Sequence, residues 1–508
     1  MPQSVRQHAR SSVRKLQLSQ AAARLFTDRG YHNVSMDDVA SAVGLTGPAL
    51  YRHFRKKHDI LAQAISEQLA AVEAVAVHAV ESGLEPDERA EMFLSELADL
   101  VLEREEVLLW KRERRQLSEV EQNDFRLRLN AVLRLTVQAL GLGDGGKPSG
   151  DAELRAWSVL GIYSSIAPAR KRLENAAAKR LLQSMAQNVL KCELDGATTH
   201  SATPVPKQRR PPGRRERILS TATRLFHAQS YHAVGIEEIA AESDTAIATF
   251  YQYFNGKAEL LQAVLNRGAE GLHYVTNHRL PSATTPQEAL DVIVCTLIEL
   301  ALGPHQPILA ILAADLIYLP EKAQELIRTS EREYVDEWVA AILGVRPELT
   351  PAHARLLAQA SIGLVTDITQ TPSMRSRPGI AAELHQLVAA VIAACAPRVV
   401  RRGPYRGPVS SARDVVGAES PGVVGQRRCH GAVHRAHPAD DHDVVGGLHR
   451  LHHLAREPSR RARQAWYALG EDPVDVGELV APLAGETGCQ SGLIVPKDVD
   501  PELPCGLD

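Results

Sequence analysis

From position 18 the chain repeats apolar residues at helical spacing. Leu18, Ala22, Leu25 and Phe26 fall three or four apart, which predicts an amphipathic helix ending near Gly30. Ser35 stands where a helix N-cap is expected, with Asp38 three residues on as its capping-box partner. Met36, Val39, Ala40 and Val43 form the inward stripe of a short second helix, and Gly44 supplies a tight turn. A third short helix over 48–54 follows, with Thr46 as its cap, Pro48 tolerated in its first turn, and Leu50 and Phe54 turned inward. That leaves Thr46, Gly47, Ala49, Tyr51, Arg52 and His53 partly outward. Two short helices crossing at a glycine turn predict a helix-turn-helix, whose second helix fits a DNA major groove.

The pattern returns 200 residues later without a gap. Arg24/Arg224, Leu25/Leu225, Phe26/Phe226, Tyr31/Tyr231, His32/His232, Val34/Val234, Ala40/Ala240, Tyr51/Tyr251, Phe54/Phe254, Lys57/Lys257 and Leu61/Leu261 all match in that register. A repeat this long is one whole domain copied, because solenoid periods are far shorter. Long helical patterns follow each copy. In the first, Met92, Phe93, Leu97, Leu100, Val101, Leu108 and Trp110 make one expected stripe; in the second, DVIVCTLIELAL, PILAILAADLIYL and REYVDEWVAAIL do the same. The expected units are residues 10–63 and 64–195, a polar, proline-bearing linker over 196–212, then 213–263 and 264–397.

Residues 398–508 differ in character. From 401 on there is no Phe, Asn or Met and a single lysine, Lys497, with no sustained period of 3.6 or 2. The expectation is a tail of low order, with the composition of a GC-rich stretch read in the wrong frame.

The stretch RLFTDRGYHNVSMDDVASAVGLTGPALYRHFRKKHDIL resembles the N-terminal domain of TetR-family regulators. Their pattern is a helix ending in LF…GY, a short helix with IA, a recognition helix ending in LYxHF or FYxYF, and a lysine-led helix. The second copy fits through RLFHAQSYHAVGIEEIA and ATFYQYFNGKAEL, departing at Ser230, at Ser243 in the turn, and with Gly235 at the cap. The resemblance implies an all-α chain of two tandem units, each a three-helix DNA-binding domain plus a helical ligand and dimerisation domain. It implies a ligand-responsive repressor binding double-stranded operator DNA, as a homodimer or an intramolecular pseudo-dimer. By the same resemblance Thr46, Gly47, Tyr51, His53 and Lys57 lie at phosphates and Pro48, Ala49 and Arg52 nearer bases, with Ser35 also in the DNA-binding set. In the second copy the set is Thr245, Ala246, Ala248, Thr249, Tyr251, Gln252, Tyr253 and Lys257. Trp110, Trp157, Tyr163, Tyr318, Tyr334 and Trp338 are expected either to wall a pocket for a lipophilic effector or to fill cores and interfaces.

Charge agrees with a nucleic-acid partner. The net charge of −3 is uninformative, but no acidic residue precedes Asp28, while Arg6, Arg10, Arg14, Lys15 and Arg24 are basic. Arg52, Arg55, Lys56 and Lys57 follow the first turn, and Lys207, Arg209, Arg210, Arg214, Arg215 and Arg217 precede the second copy. Such cations neutralise phosphates without reading sequence. The second recognition helix carries no cation, and the helix before it is acidic at Glu237, Glu238 and Glu242, so the first copy is expected to bind more strongly. The chain lacks GxSxG, Walker and HExxH motifs and any GxGxxG after a strand, which argues against an enzyme, and implies no cofactor. GLGDGG at 141–146 reads as a loop. The tail's Cys429, His430, His434, His437, His442, His449, His452 and His453 show no recurring ligand pair, so no metal is expected. Six scattered cysteines without a CxxC pair, and no run of 18 apolar residues, favour a reduced, cytoplasmic chain with no membrane partner.

Overall fold

The computed structural model describes residues 3–104, 109–143, 148–165, 173–194, 211–303 and 305–395, with side chains in the first helix from Arg14 onward. The tail expectations lie outside these residues. So do Leu108, half of GLGDGG and most of the linker.

The first half is built from α1 (Gln3–Arg29), α2 (Met36–Ala42), α3 (Gly47–Leu50), α4 (Lys57–Glu81), α5 (Pro86–Glu103), α6 (Leu109–Glu113), α7 (Glu119–Ala139), α8 (Gly150–Ser164) and α9 (Asn175–Lys191). The second comprises α10 (Arg214–Gln229), α11 (Ile236–Glu242), α12 (Ile247–Tyr253), α13 (Lys257–Arg279), α14 (Pro286–Leu302), α15 (Gln306–Asp315), α16 (Glu321–Val345), α17 (Pro351–Thr369), α18 (Pro372–Arg375) and α19 (Ile380–Ile392). No strand occurs among the described residues. The expected all-α class and tandem arrangement hold.

Local chemistry explains the ends of the short helices. Ser35 Oγ accepts from the Asp38 amide, and Asp38 Oδ2 accepts from the Ser35 amide at 2.8 Å, closing the capping box. Gly44 turns the chain at φ +67°. Thr46 holds the N-cap of α3, but its side chain makes no cap hydrogen bond. In the second copy the left-handed turn falls on Asp244 (φ +53°), not Ser243, which is buried with its Oγ donating to the Ala240 carbonyl. The turn expectation at Ser243 is therefore off by one residue, since Asp244 is the partner of Gly44 in the repeat.

Both three-helix units run without a break into the helical layer, because α4 spans the expected boundary at 63/64 and α13 spans that at 263/264. By length and mean hydropathy alone α4 could cross a membrane. Here it packs on α1, α5 and α7, burying Ile60, Leu61, Ile65 and Leu69. The stripe expected from Met92 to Trp110 is split. Helix α5 ends at Glu103 and α6 begins only at Leu109, with Phe93, Leu94, Leu97, Ala98 and Val101 as the buried face of α5.

The two halves pack on each other. Helix α8 lies along α17, and α9 along α19. Helix α17 is buried on every side, from His353 through Thr369 almost without exception, as a helix at the centre of a bundle must be. Polar contacts cross this seam. Lys111 Nζ pairs with Asp367 and donates to Ser164 Oγ at 2.6 Å, Asn188 donates to the Ala390 carbonyl, and Arg377 bridges Asp151 and Glu383. Of the two pairings the resemblance allowed, the structure displays the intramolecular pseudo-dimer.

Candidate nucleic-acid interface

The helix-turn-helix of each copy is held from beneath by an aliphatic and aromatic cluster. Leu18, Phe26, Val39, Leu50 and Phe54 are buried in the first, and Ile218, Phe226, Ile239, Phe250 and Phe254 in the second. On the outer side, Thr46, Pro48, Tyr51, Arg52, Arg55 and Lys56 are exposed, with Gly47, Ala49 and His53 half-buried. Tyr51 and Tyr251 each expose 53% of their surface, which argues against a core role for either ring. Ala246, Ala248, Tyr251, Gln252 and Tyr253 are exposed, and Thr245 and Thr249 half-buried. Ile247, absent from the sequence-derived set, opens α12 with 46% exposure. The rod expected over 48–54 is shorter in helical form. Helix α3 closes at Leu50, and 51–53 continue as turn, with His53 and Phe54 amides donating to the Leu50 carbonyl.

One cation before each head lies against its inner cluster. Lys15 Nζ lies 5.2 Å from the Phe54 ring centre, and Arg215 lies 5.3 Å from the Phe254 ring. Lys57 and Lys257, expected at phosphates, each also have partners within the head. Lys57 Nζ donates to the carbonyls of Tyr31 and Val34, both at 2.8 Å, and sits over the Tyr31 ring. Lys257 repeats this on Tyr231 and Val234 at 2.9 and 2.8 Å. Burial lowers the pKa of both. Each lysine fastens the loop between the first two helices. Ser35 is consumed by its capping box.

The two heads are locked together by groups the sequence reading did not single out. Helix α6 and the turn Arg114–Gln116 carry them. Arg112 donates to the Thr27 carbonyl at 3.1 Å and to that of Phe26, at the end of α1. Arg115 donates to the Phe226 and His227 carbonyls at 3.3 and 3.2 Å, at the end of α10. One short segment thus satisfies the open carbonyl ends of both head helices. Glu113 accepts from the Tyr31 amide at 3.3 Å, and buried Asp315, its counterpart, stands 3.7 Å from Arg115. Burial pushes the Asp315 carboxyl up to about 6. Above them His32 and His232 meet ring on ring, centroids 3.9 Å apart, with Tyr318 edge-on to His232 at 4.2 Å. Burial drives the His232 imidazole down to about 4, with His32, Lys257 and Lys57 disfavouring its charge, and burial also lowers His32. The run KRERRQ gave no periodic signal, so only coordinates reveal this strut.

The expected aromatic wall is dispersed. Tyr163 is core, its hydroxyl donating to the Leu94 carbonyl; Tyr318 belongs to the head contact; Tyr334 and Trp338 fill the second half's core. A shallow cleft of about 20 Å³ between α1, α4 and the end of α5 is lined by alanines with Ser19, Gln20, Glu67, Gln68 and Arg104, and by none of those aromatics.

Paired three-helix heads with exposed recognition helices, set on a helical bundle, define the class of helix-turn-helix DNA-binding proteins. The family model for bacterial regulatory proteins of the tetR family matches residues 18–64 and again 218–264. The chain carries two tandem modules of that family. It is 33% identical over 81 residues to the uncharacterized HTH-type transcriptional regulator YxaF of Bacillus subtilis, covering 16% of this chain and 42% of that protein. It is 25% identical over 165 residues to the HTH-type transcriptional activator FasR of Mycolicibacterium smegmatis, covering 32% and 74%. It is 32% identical over 81 residues to the HTH-type transcriptional repressor KstR of the same organism, covering 16% and 40%. The matches to YxaF and KstR thus span about two fifths of those relatives.

Proposed function

We propose that the chain is a sequence-specific DNA-binding transcriptional regulator that acts as a ligand-responsive repressor and catalyses no reaction. The observation that carries this is the exposure of Tyr51 and Arg52 beside Arg55 and Lys56, on a head whose inner face is fully packed. Exposed, uncompensated cations next to a groove-sized helix are what a polyanionic duplex requires. Thr46, Gly47, Tyr51 and His53 stand at the phosphates, with Pro48, Ala49 and Arg52 toward the bases. Thr245, Ala246, Tyr251 and Tyr253, and Ala248, Thr249 and Gln252, take the corresponding places in the second head. Ser35, Lys57 and Lys257 support the heads from behind.

The effector is a small molecule, and by binding one of two states of the helical domains more tightly it would alter the pose of the heads.

The test is a gel-shift and footprint of the full chain on the DNA upstream of its own gene, across a salt series. Retardation that weakens steeply with salt, and weakens further in Arg52→Ala, supports the reading. Absent or salt-insensitive binding overturns it. A reporter behind the footprinted site then gives the sign, since the relatives include both a repressor and an activator by name.

A further inference from the structure

We infer that one chain is the complete DNA-reading unit for a non-palindromic site, with a guanine-directed half read by Arg52 and an adenine-directed half read by Gln252. This rests on the DNA-binding reading above. A two-fold dimer presents the same side chains twice, so its site is palindromic. Here the second head belongs to the same chain, and the seam that could recruit another copy is already filled by α8 and α9 against α17 and α19. The strut fixes the relation between the heads: Arg112 ends α1, Arg115 ends α10, and the His32 and His232 rings close the gap between them.

Within that near-symmetric frame the outward residues differ position by position. In the repeat Arg52 corresponds to Gln252, His53 to Tyr253, Ala49 to Thr249, Arg55 to Asn255 and Lys56 to Gly256. Tyr51 and Tyr251, by contrast, are the same residue with the same 53% exposure, so the frame is shared and the chemistry is not. A guanidinium matches the O6 and N7 acceptors of guanine, whereas a carboxamide matches the N7 acceptor and N6 donor of adenine. The first head also keeps the exposed cations Arg55 and Lys56, while Glu242, behind α12, takes Arg224 into an ion pair. The first head therefore supplies most of the salt-dependent grip, and the second mainly adds selectivity.

The experiment is in vitro selection by the full chain from a randomised duplex pool, followed by mass photometry of the complex on the winning sequence. The expected result is one chain per duplex and a consensus with two dissimilar halves. Arg52→Ala relaxes the guanine in one half only and Gln252→Ala the adenine in the other only, each with about a 5- to 150-fold loss on the consensus. Both side chains are exposed, and circular dichroism verifies that the variants fold. Replacing Arg55 and Lys56 by Ala lowers the log–log salt slope by about 2, and the equivalent changes at Asn255 and Gly256 leave it unmoved. A palindromic consensus, two chains per single site, or both variants acting on the same half overturns the inference while leaving DNA binding intact. Failure to enrich any sequence overturns the DNA-binding reading itself, and this inference with it.

Discussion

Replacing Lys111 by Met tests what holds the two halves together. Lys111 and Asp367 come from opposite halves, and their side chains are 3% and 4% exposed. Ser164 completes the set, accepting from Lys111 and lying 3.3 Å from Asp367 Oδ2. Burial lowers the lysine's pKa and raises the aspartate's, and their mutual attraction opposes both shifts. Removing one member of such a pair strands a buried charge, which costs about 3–5 kcal/mol. Asp367 can escape part of that by taking up a proton, so the lower end, about 3 kcal/mol at neutral pH, is expected for Lys111→Met. Against a total stability of about 5–15 kcal/mol this is a large fraction. Removing both charges with Lys111→Met and Asp367→Leu recovers most of the loss, because the desolvation penalty goes with them. The assay is equilibrium urea unfolding followed by circular dichroism and by tryptophan fluorescence, since Trp157 and Trp338 report on the two halves. The single variant's deficit shrinks as the pH falls, because a raised carboxyl pKa favours the folded state under acid. A loss below about 1 kcal/mol for Lys111→Met, or a double variant as unstable as the single, would refute the argument, because either means the pair is hydrated.

Three further outcomes follow from the heads. Ser230 sits at φ 74°, ψ 156°, a region essentially reserved for glycine, so Ser230→Gly raises the unfolding midpoint by about 1 kcal/mol after the entropic cost of glycine is subtracted; an unchanged or lower midpoint contradicts the strain. Lys57→Met leaves two loop carbonyls without their donor and destabilises the first head by about 2 kcal/mol, read as faster amide exchange over 31–35 with slower exchange retained in α17. His227 and His232 are held down to about 4, so the unfolded chain binds more protons than the folded one between that value and the ordinary 6.5, and stability falls as the pH drops through this window. Asp315, raised to about 6, Glu331, raised to about 8, and Asp367, also raised by burial, work the other way, favouring the folded state at low pH. The histidines are therefore read by difference: relative to the parent chain, His227→Gln with His232→Gln gains stability as the pH falls from 7 to 4.5, and a difference that stays constant with pH would exclude the histidine contact.

Local chemistry was legible in the sequence where a residue type leaves few options. Ser35 with Asp38, the turn at Gly44, and the stripe of Leu18, Ala22 and Phe26 are decided within a few residues, and the structure holds each of them. The repeat likewise exposed the tandem architecture. What escaped depends on partners distant in the chain. Lys57 carries the same charge whether it faces phosphate or two carbonyls 26 and 23 residues away. Arg112 and Arg115 find their partners only at the ends of α1 and α10, 85 to 112 residues away along the chain. Gly30 shows the same limit. A Cβ there would meet Tyr318 at 2.9 Å, a contact between positions nearly three hundred residues apart. Its repeat partner Ser230 carries a Cβ at φ 74°, and at the place of Tyr318 the first half has Gln116.

Joining both halves in one polypeptide has a consequence for how little of the protein is needed. Two separate subunits dissociate on dilution, and their joint occupancy of a site falls with the square of their number. A covalent link replaces that encounter with a fixed, high local concentration. The two heads stay partnered at any copy number, and neither can be poisoned by exchange with a mismatched subunit from a related regulator in the same cell.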